Sequence, residues 1–333
     1  MKNHSLWAAA ACAIAAGAEA QTAPTYSDLV YGPYDPQERQ TLDFYIPEGV
    51  TDAPVVMWIH GGAWFAGDKS NPTGVQQFLD AGIAVASMNY RLSTYTFPPS
   101  LETENGTQWP GQLEDLENAF SFVRENGATY GYDGSRIASF GSSAGAHLSA
   151  WAGLALADDP DTRLKASVAW YPPSDLYEMD NDDDNSTPAF DAINHSASNS
   201  PESLLIGATV GENEALADAA SPAVYATTLE KGAPLPSFLI MHGTEDPLVS
   251  FLQSQRLHDA IDGQGGAPDL ELIFLDGLGH GGPGWDGQIP YVVNFVSQAL
   301  GNGPVPVPLP ASMPVALAGL GLLAALRRRR AVA

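Results

Sequence analysis

The sequence predicts an α/β domain with a mostly parallel central sheet and helices on both of its faces. Three observations predict it. Apolar runs such as PVVMWIHGG (54–62) and GIAVASMNY (82–90) lack the polar alternation of a half-exposed strand, as strands buried on both faces require. Other stretches have helical spacing, clearest in LEDLENAFSFVREN (113–126), where Leu113, Leu116, Phe120 and Val123 share one face. The two patterns alternate from about 24 to 302, and such alternation marks a parallel sheet covered on both sides.

The elements follow in order. Strands are expected at 54–62 and 82–90, then the helix over 113–126. RIASF (136–140) is a short strand, and AGAHLSAWAGLAL (144–156) a helix rich in small residues. LKASVAWYP (164–172), PSFLIMHG (236–243) and LELIFLDG (270–277) are further strands, with helices near 250–262 and 286–299. No internal repeat, heptad or basic patch interrupts the series. The stretch from Tyr171 to Ala220 does: it holds eleven acidic residues and no Lys or Arg, with many Ser, Asn and Pro. It is expected to be an insertion, about 171–220, over the edge of the sheet.

A chain of 333 residues suffices for one large domain, and its 44% hydrophobic and 16% charged content fits a globular one. The formal charge of −25 argues against nucleic acid and anionic membrane surfaces as partners. Both ends look like processing signals. Lys2, the apolar stretch Leu6 to Ala16 and the small-residue site Ala18-Glu19-Ala20 form the pattern of a signal peptide over 1–20, leaving a domain at 21–303. Cys12, the single cysteine, lies inside that segment, so the processed chain is expected to have no thiol, disulfide or cysteine metal site. Residues 304–333 run from a Pro-rich spacer through an apolar segment, about 311–326, to Arg327–Arg330. The apolar segment is short of the roughly 20 residues a spanning helix needs, and the arginines behave as a cytoplasmic stop. Val307-Pro308-Leu309-Pro310-Ala311 in this setting resembles the VPLPA variant of PEP-CTERM sorting signals. The resemblance implies export in a Gram-negative bacterium to periplasm, cell surface or matrix. It also implies transient membrane anchoring and cleavage by an exosortase-type enzyme.

The chemistry concentrates at a few short motifs. Gly141-Ser142-Ser143-Ala144-Gly145, between a strand and a helix, is a Gly-x-Ser-x-Gly nucleophile elbow. Centring it on Ser142 would need glycines at Phe140 and Ala144, so Ser143 is the candidate nucleophile and Ser142 the variable position. A serine needs a base that an acid orients, in the chain order Ser, acid, His. His258 belongs to a helical pattern, whereas His280 sits in the loop DGLGHGG after a strand and is the candidate base. The acid is expected in FLIMHGTEDPLV, with Asp246 ahead of Glu245. Gly61 and Gly62 of HGGAW, with the N–H of Ala144, are the candidate oxyanion hole; His60 is expected to orient that loop.

HGGAWFAGDK, MNYRL, GSSAG, ASPAVY, HGTEDPLV and GLGHG, spread over about 42–295, resemble the α/β-hydrolase esterases of the hormone-sensitive-lipase-like type. They are most similar to the bacterial carboxylesterases grouped with feruloyl and acetyl-xylan esterases. The chain departs at Ala63, where the lipase-type loop has a third glycine, and at Ser142, where acidic or His residues are common. The resemblance implies the α/β-hydrolase fold and two-step acyl transfer by Ser143, His280 and Asp246. It implies no metal or organic cofactor, and a small-molecule or carbohydrate-linked ester as substrate. Two alternatives remain at this point: a serine peptidase of the prolyl-peptidase type, and a non-catalytic surface or matrix protein on the same fold. The acidic insertion, having no basic residue of its own, is expected near the mouth of the site, favouring neutral short-acyl esters over lipids and free carboxylates. Asp180, Asp182, Asp184 and Asp191 have a calcium-loop-like spacing, but Asn185 stands where glycine is expected and Pro188 intervenes. A solvated acidic loop is the favoured expectation, with weak calcium binding the alternative.

Overall fold

The computed structural model describes residues 22–34, 37–94, 106–186 and 194–303. The signal-peptide and sorting-signal segments expected from the sequence lie outside them. Eight strands form one sheet: β1 (Tyr26–Val30), β2 (Thr41–Tyr45), β3 (Ala53–Ile59), β4 (Ala84–Met88), β5 (Tyr132–Ser142), β6 (Ala166–Trp170), β7 (Ser237–Gly243) and β8 (Leu270–Leu275). Their order is β1-β2-β4-β3-β5-β6-β7-β8. β1 and β2 are antiparallel additions at one edge; β4, β3, β5, β6, β7 and β8 pair in parallel. The sequence expectation did not include β1 and β2, which are five-residue strands.

The helices are α1 (Val75–Asp80), α2 (Gly111–Glu125), α3 (Gly127–Tyr130), α4 (Ala144–Ala155), α5 (Met179–Ser186), α6 (Pro201–Ile206), α7 (Glu214–Ala219), α8 (Pro222–Thr228), α9 (Phe251–Gln264) and α10 (Ile289–Ala299). Strand side chains alternate between the two faces. Val55, Met57 and Ile59 of β3 enter one core with Leu116, Phe120 and Val123 of α2 and Leu148 of α4. Val56 and Trp58 enter another with Phe78 of α1 and Val292, Val293 and Val296 of α10. β7 divides the same way: Phe238 and Ile240 pack with Leu257 and Ile261 of α9, while Leu239 and Met241 face the α10 side. Because both faces are covered, the strands carry no polar alternation, which is why they were readable as apolar runs. This is the α/β-hydrolase fold.

Two polar clusters tie the edges down. Lys69, from HGGAWFAGDK, reaches back to Asp43 of β2 at 2.6 Å and Asp28 of β1 at 2.7 Å. Burial opposes its charge, but the two carboxylates outweigh burial and raise its pKa. Arg136 of β5 donates to Leu300 O, Asn302 Oδ1 and Asp52 O, clamping the end of the described chain against the start of β3.

The acidic stretch departs from expectation. It is helical in α5, α6 and α7, and it buries Leu205, Ile206 and Val210 in the main core. Its carboxylates do have a basic partner, supplied from outside the stretch: Arg256 of α9 meets Asp182 at 2.7 Å, Glu178 at 3.0 Å and Asp175 at 3.5 Å. Gln253, one turn earlier, also donates to Asp182. Asp180 accepts from the backbone N–H groups of His195 and Ser196. Asp180 and Asp182 are thus committed to other partners, and they lie in a helix, not a calcium loop. The side chain of Asp184 and the whole of Asp191 lie outside the described residues. Among the described residues no cluster of His, Cys, Asp and Glu could hold a metal ion, and no helix is long and apolar enough to cross a membrane.

Candidate active site

The strand order reverses between β3 and β5, and the carboxyl ends of parallel strands at such a reversal form a crevice. Ile59 of β3 is in register with Gly141 of β5. The chain leaving β3, His60-Gly61-Gly62, therefore emerges beside the chain leaving β5, Ser142-Ser143. Serine and glycine loop are neighbours because of this register.

The turn between β5 and α4 is one residue long. Ser143 sits at φ 56°, ψ −124°, a conformation that non-glycine residues rarely adopt and that occurs at functional turns. Its N–H donates to Trp170 O of β6 at 2.9 Å. The flanking glycines are sterically required: a Cβ on Gly141 would lie 2.1 Å from Gly145 O, and one on Gly145 would lie 2.0 Å from Ile59 O.

From that turn a continuous chain of hydrogen bonds runs inward. Ser143 Oγ lies 2.9 Å from His280 Nε2, and His280 Nδ1 lies 2.7 Å from Asp246 Oδ2. Asp246 is 1% exposed; its other oxygen accepts from the N–H groups of Leu248 and Val249 at 2.9 and 3.0 Å. Burial alone would raise its pKa, but the His280 and His242 imidazoles, aided by their hydrogen bonds, hold it well below the usual carboxylate range. Glu245, the reserve acid, is exposed. His258 lies in α9 against Asp259.

The glycine loop is held by its own histidine. His60 Nδ1 donates to Gly61 O at 2.7 Å, its ring stacks on Tyr90 at 4.3 Å, and Arg39 donates to Nε2 at 3.3 Å. Burial lowers the His60 pKa to about 4, so the ring is uncharged near neutrality, with one nitrogen donating and the other accepting. Gly61 is pressed against the elbow: a Cβ there would lie 2.8 Å from Ser142 O and 3.3 Å from Ser143 Cβ. Ala63 and Trp64 continue in left-handed conformation, at φ 53° and 60°. Ala63 thus occupies a position whose backbone favours the glycine it replaces. Trp64 donates to His147 Nδ1 at 3.2 Å, and His147 Nε2 donates to Ala220 O at 2.7 Å, joining the loop, α4 and the end of the acidic stretch.

All three candidate triad residues are therefore brought together; Gly61 presses on the serine turn, Ala144 directly follows it, and Gly62 is the next residue of the glycine loop. Sequence reasoning missed three neighbours. His242, in β7, lies 3.2 Å from Asp246 through Nε2, while its Nδ1 faces Ser254 Oγ at 2.6 Å. Tyr171, the residue after β6, packs on His280 with ring centroids 4.5 Å apart. Trp285 packs on Tyr171 at 4.6 Å and donates to Gly279 O. The position of Tyr171 just past the carboxyl end of a strand next to the elbow strand was the available signal.

Comparison with known proteins places the chain among esterase-like relatives. Residues 42–261 match the BD-FAE family. Esterase LipQ of Mycobacterium tuberculosis (strain ATCC 25618 / H37Rv) is 29% identical over 255 residues, which are 72% of this chain and 53% of LipQ. A probable isoprenylcysteine alpha-carbonyl methylesterase, ICMEL1 of Oryza sativa subsp. japonica, is 30% identical over 258 residues, 74% of this chain and 55% of its own. The chain spans about half the length of these curated relatives. Among solved structures, a truncated form of a carbohydrate esterase from gut microbiota superposes with a TM-score of 0.68 at 27% identity, covering 83% of this chain and 96% of that one. The bifunctional GH43-CE of Bacteroides eggerthii gives 0.67 at 27% identity, covering 83% of this chain and 35% of that one. With the fold, the elbow and the family match in agreement, the chain belongs to the BD-FAE family.

Proposed function

We propose that this chain is a serine carboxylic-ester hydrolase in which Ser143 is the nucleophile, His280 the general base and acid, and Asp246 its orienting partner. The observation that carries the reading is the unbroken Ser143–His280–Asp246 hydrogen-bond chain, at 2.9 and 2.7 Å. In the first step Ser143 Oγ bonds to the ester carbonyl carbon while its proton passes to His280 Nε2. Asp246 accepts from Nδ1–H throughout and stabilises the imidazolium. Backbone N–H groups of Gly61, Gly62 and Ala144 receive the developing oxyanion. His280 then returns the proton to the departing alkoxide, the C–O bond breaks, and an acyl-serine remains. Water, deprotonated by the same imidazole, releases the acid and restores Ser143. The chemistry needs no metal or organic cofactor.

The substrate reading is a neutral short-acyl ester, carried by a small molecule or a carbohydrate. The likeness to a carbohydrate esterase supports the carbohydrate-linked form. The peptidase and non-catalytic alternatives predict different outcomes in one assay. A fluorophosphonate should label Ser143 stoichiometrically, and the wild type should hydrolyse aryl acetate and butyrate faster than long-chain esters and release acetate from acetylated xylan. Absence of labelling returns the chain to the non-catalytic reading; cleavage of prolyl amides in preference to esters selects the peptidase.

The same reading has the chain exported and transiently anchored through its terminal segments, with processing by an exosortase-type enzyme. The sequence patterns at 1–20 and 304–333 support it. Protein recovered from the natural host should begin at Gln21 by mass spectrometry; an intact Met1 end contradicts export by this route.

A further inference from the structure

We propose that Tyr171 is a positioning residue for His280: its ring walls one side of the imidazole, and its backbone is held beside the elbow because the preceding residue, Trp170, pairs with Ser142 and accepts the N–H of Ser143. The inference rests on the esterase reading and adds a residue to it.

Tyr171 lies where three parts of the site converge. Its backbone N–H donates to Met241 O of β7, and the carbonyl of the preceding residue, Trp170, accepts the N–H of Ser143. The backbone that suspends the nucleophile thus leads directly into Tyr171. Tyr171 itself adopts φ 45°, in the left-handed region that a bulky side chain avoids. Such an outlier persists only where surrounding contacts hold it. Those contacts are specific. The ring packs on His280 at 4.5 Å with planes inclined by 57°, and on Trp285 at 4.6 Å with planes inclined by 74°. The hydroxyl reaches the histidine loop: a Cβ on Gly281 would lie 3.3 Å from it.

The arrangement answers a mechanical need. Asp246 holds His280 at Nδ1, and a single hydrogen bond lets the ring pivot about that point. A wall against the ring removes the pivot and keeps Nε2 aimed at Ser143 Oγ. Tyr171 can serve as that wall because its backbone is anchored on both sides, by Trp170 at the elbow strand and by its own N–H to Met241 O of β7. The other charged or titratable groups around Tyr171 are Asp246 after β7, His242 in β7 and Asp286 after Trp285.

The test compares Tyr171→Ala, Tyr171→Leu and Tyr171→Phe against wild type, with aryl acetate as probe. Tyr171→Ala should lower kcat about 100-fold with KM nearly unchanged, and Tyr171→Phe, which keeps the ring, should recover most of that loss. A second readout is independent of turnover. The low-field proton NMR signal of His280 Nδ1–H, bonded to Asp246, should be sharp in wild type and broadened in Tyr171→Ala. If Tyr171→Ala does not fold, Tyr171→Leu, which lacks the flat ring, should still lower kcat about 10-fold. A Tyr171→Phe variant as slow as Tyr171→Ala, a loss that falls on KM and not on kcat, or an unchanged NMR signal in Tyr171→Ala would overturn the wall. A wild type inert toward esters but with the expected NMR change would overturn the esterase reading and leave the wall standing.

Discussion

The serine elbow and the acidic stretch from Tyr171 to Ala220 flank the same site and obey different rules. The elbow is five residues, and its shape follows from local sterics: two glycines without Cβ atoms, a strand on one side and a helix on the other. The acidic stretch is ten times longer, and its shape follows from residues far away in sequence. Arg256 gathers Asp175, Glu178 and Asp182, Trp109 donates to Ala219 O, and His147 and Trp151 donate to Ala220 O. Local constraint can be read from a motif; a partner outside the segment cannot.

The comparison can be broken most severely at the elbow. Ser143→Ala should remove ester turnover down to a residue of about 10³-fold over water. Ser142→Ala should retain most of it. Equal loss in the two variants, measured as kcat on aryl acetate, would mean that the turn does not distinguish its serines. Next in size is Gly145→Ala, because its new methyl would lie 2.0 Å from a backbone oxygen of β3 and backbone cannot yield cheaply. A destabilisation of about 3 kcal/mol or more is expected by urea denaturation. A loss under 1 kcal/mol would show that the close packing of elbow and β3 is adjustable.

The acidic stretch should be breakable from outside itself. Arg256→Gln leaves Asp182, whose side chain is 5% exposed, with Gln253 as its remaining side-chain donor. A stability loss of about 1–3 kcal/mol is expected, smaller than for a fully buried pair because Arg256 is one-third exposed. Proteolysis should become faster within the stretch, while labelling of Ser143 stays near the wild-type rate. Unchanged proteolysis would deny Arg256 its organising role. The smallest effect concerns Asp175. Burial pushes its carboxyl pKa up to about 6 even though Arg256 pulls it down. A carboxylate raised in the folded state contributes stability that is complete below its unfolded value near 4 and is lost as pH rises through about 6. Asp175→Asn removes that dependence, so its melting temperature relative to wild type should climb between about pH 4 and pH 6 and level off above. A constant difference across that window would place the carboxyl in an ordinary environment.

How far the sequence reached follows the same division. The parallel strands were legible because both faces are covered, so apolar runs mark them directly. Ser143, Asp246 and His280 were legible because each sits at a fixed place relative to a strand end. β1 and β2 were missed: they are short, and β1 is largely exposed at the edge. The acidic stretch was misjudged as unpaired because composition counts only the charges within a segment; Arg256 arrives from α9, more than seventy residues beyond Asp182. Tyr171 carried no motif at all. Its role depends on a backbone dihedral and on the ring that the histidine loop brings against it, and neither is written in residue order.

The Arg136 clamp has a consequence for orientation. By fixing Leu300 and Asn302 beside Asp52, it brings the described chain to its end at the amino edge of β3 and β5, while the serine turn opens at the carboxyl edge of the same strands. The molecule is therefore polar in the geometric sense, with its exit point at one pole and its chemistry at the other. A support bound at Gly303 itself would therefore leave the crevice facing open solvent on the opposite side of the sheet.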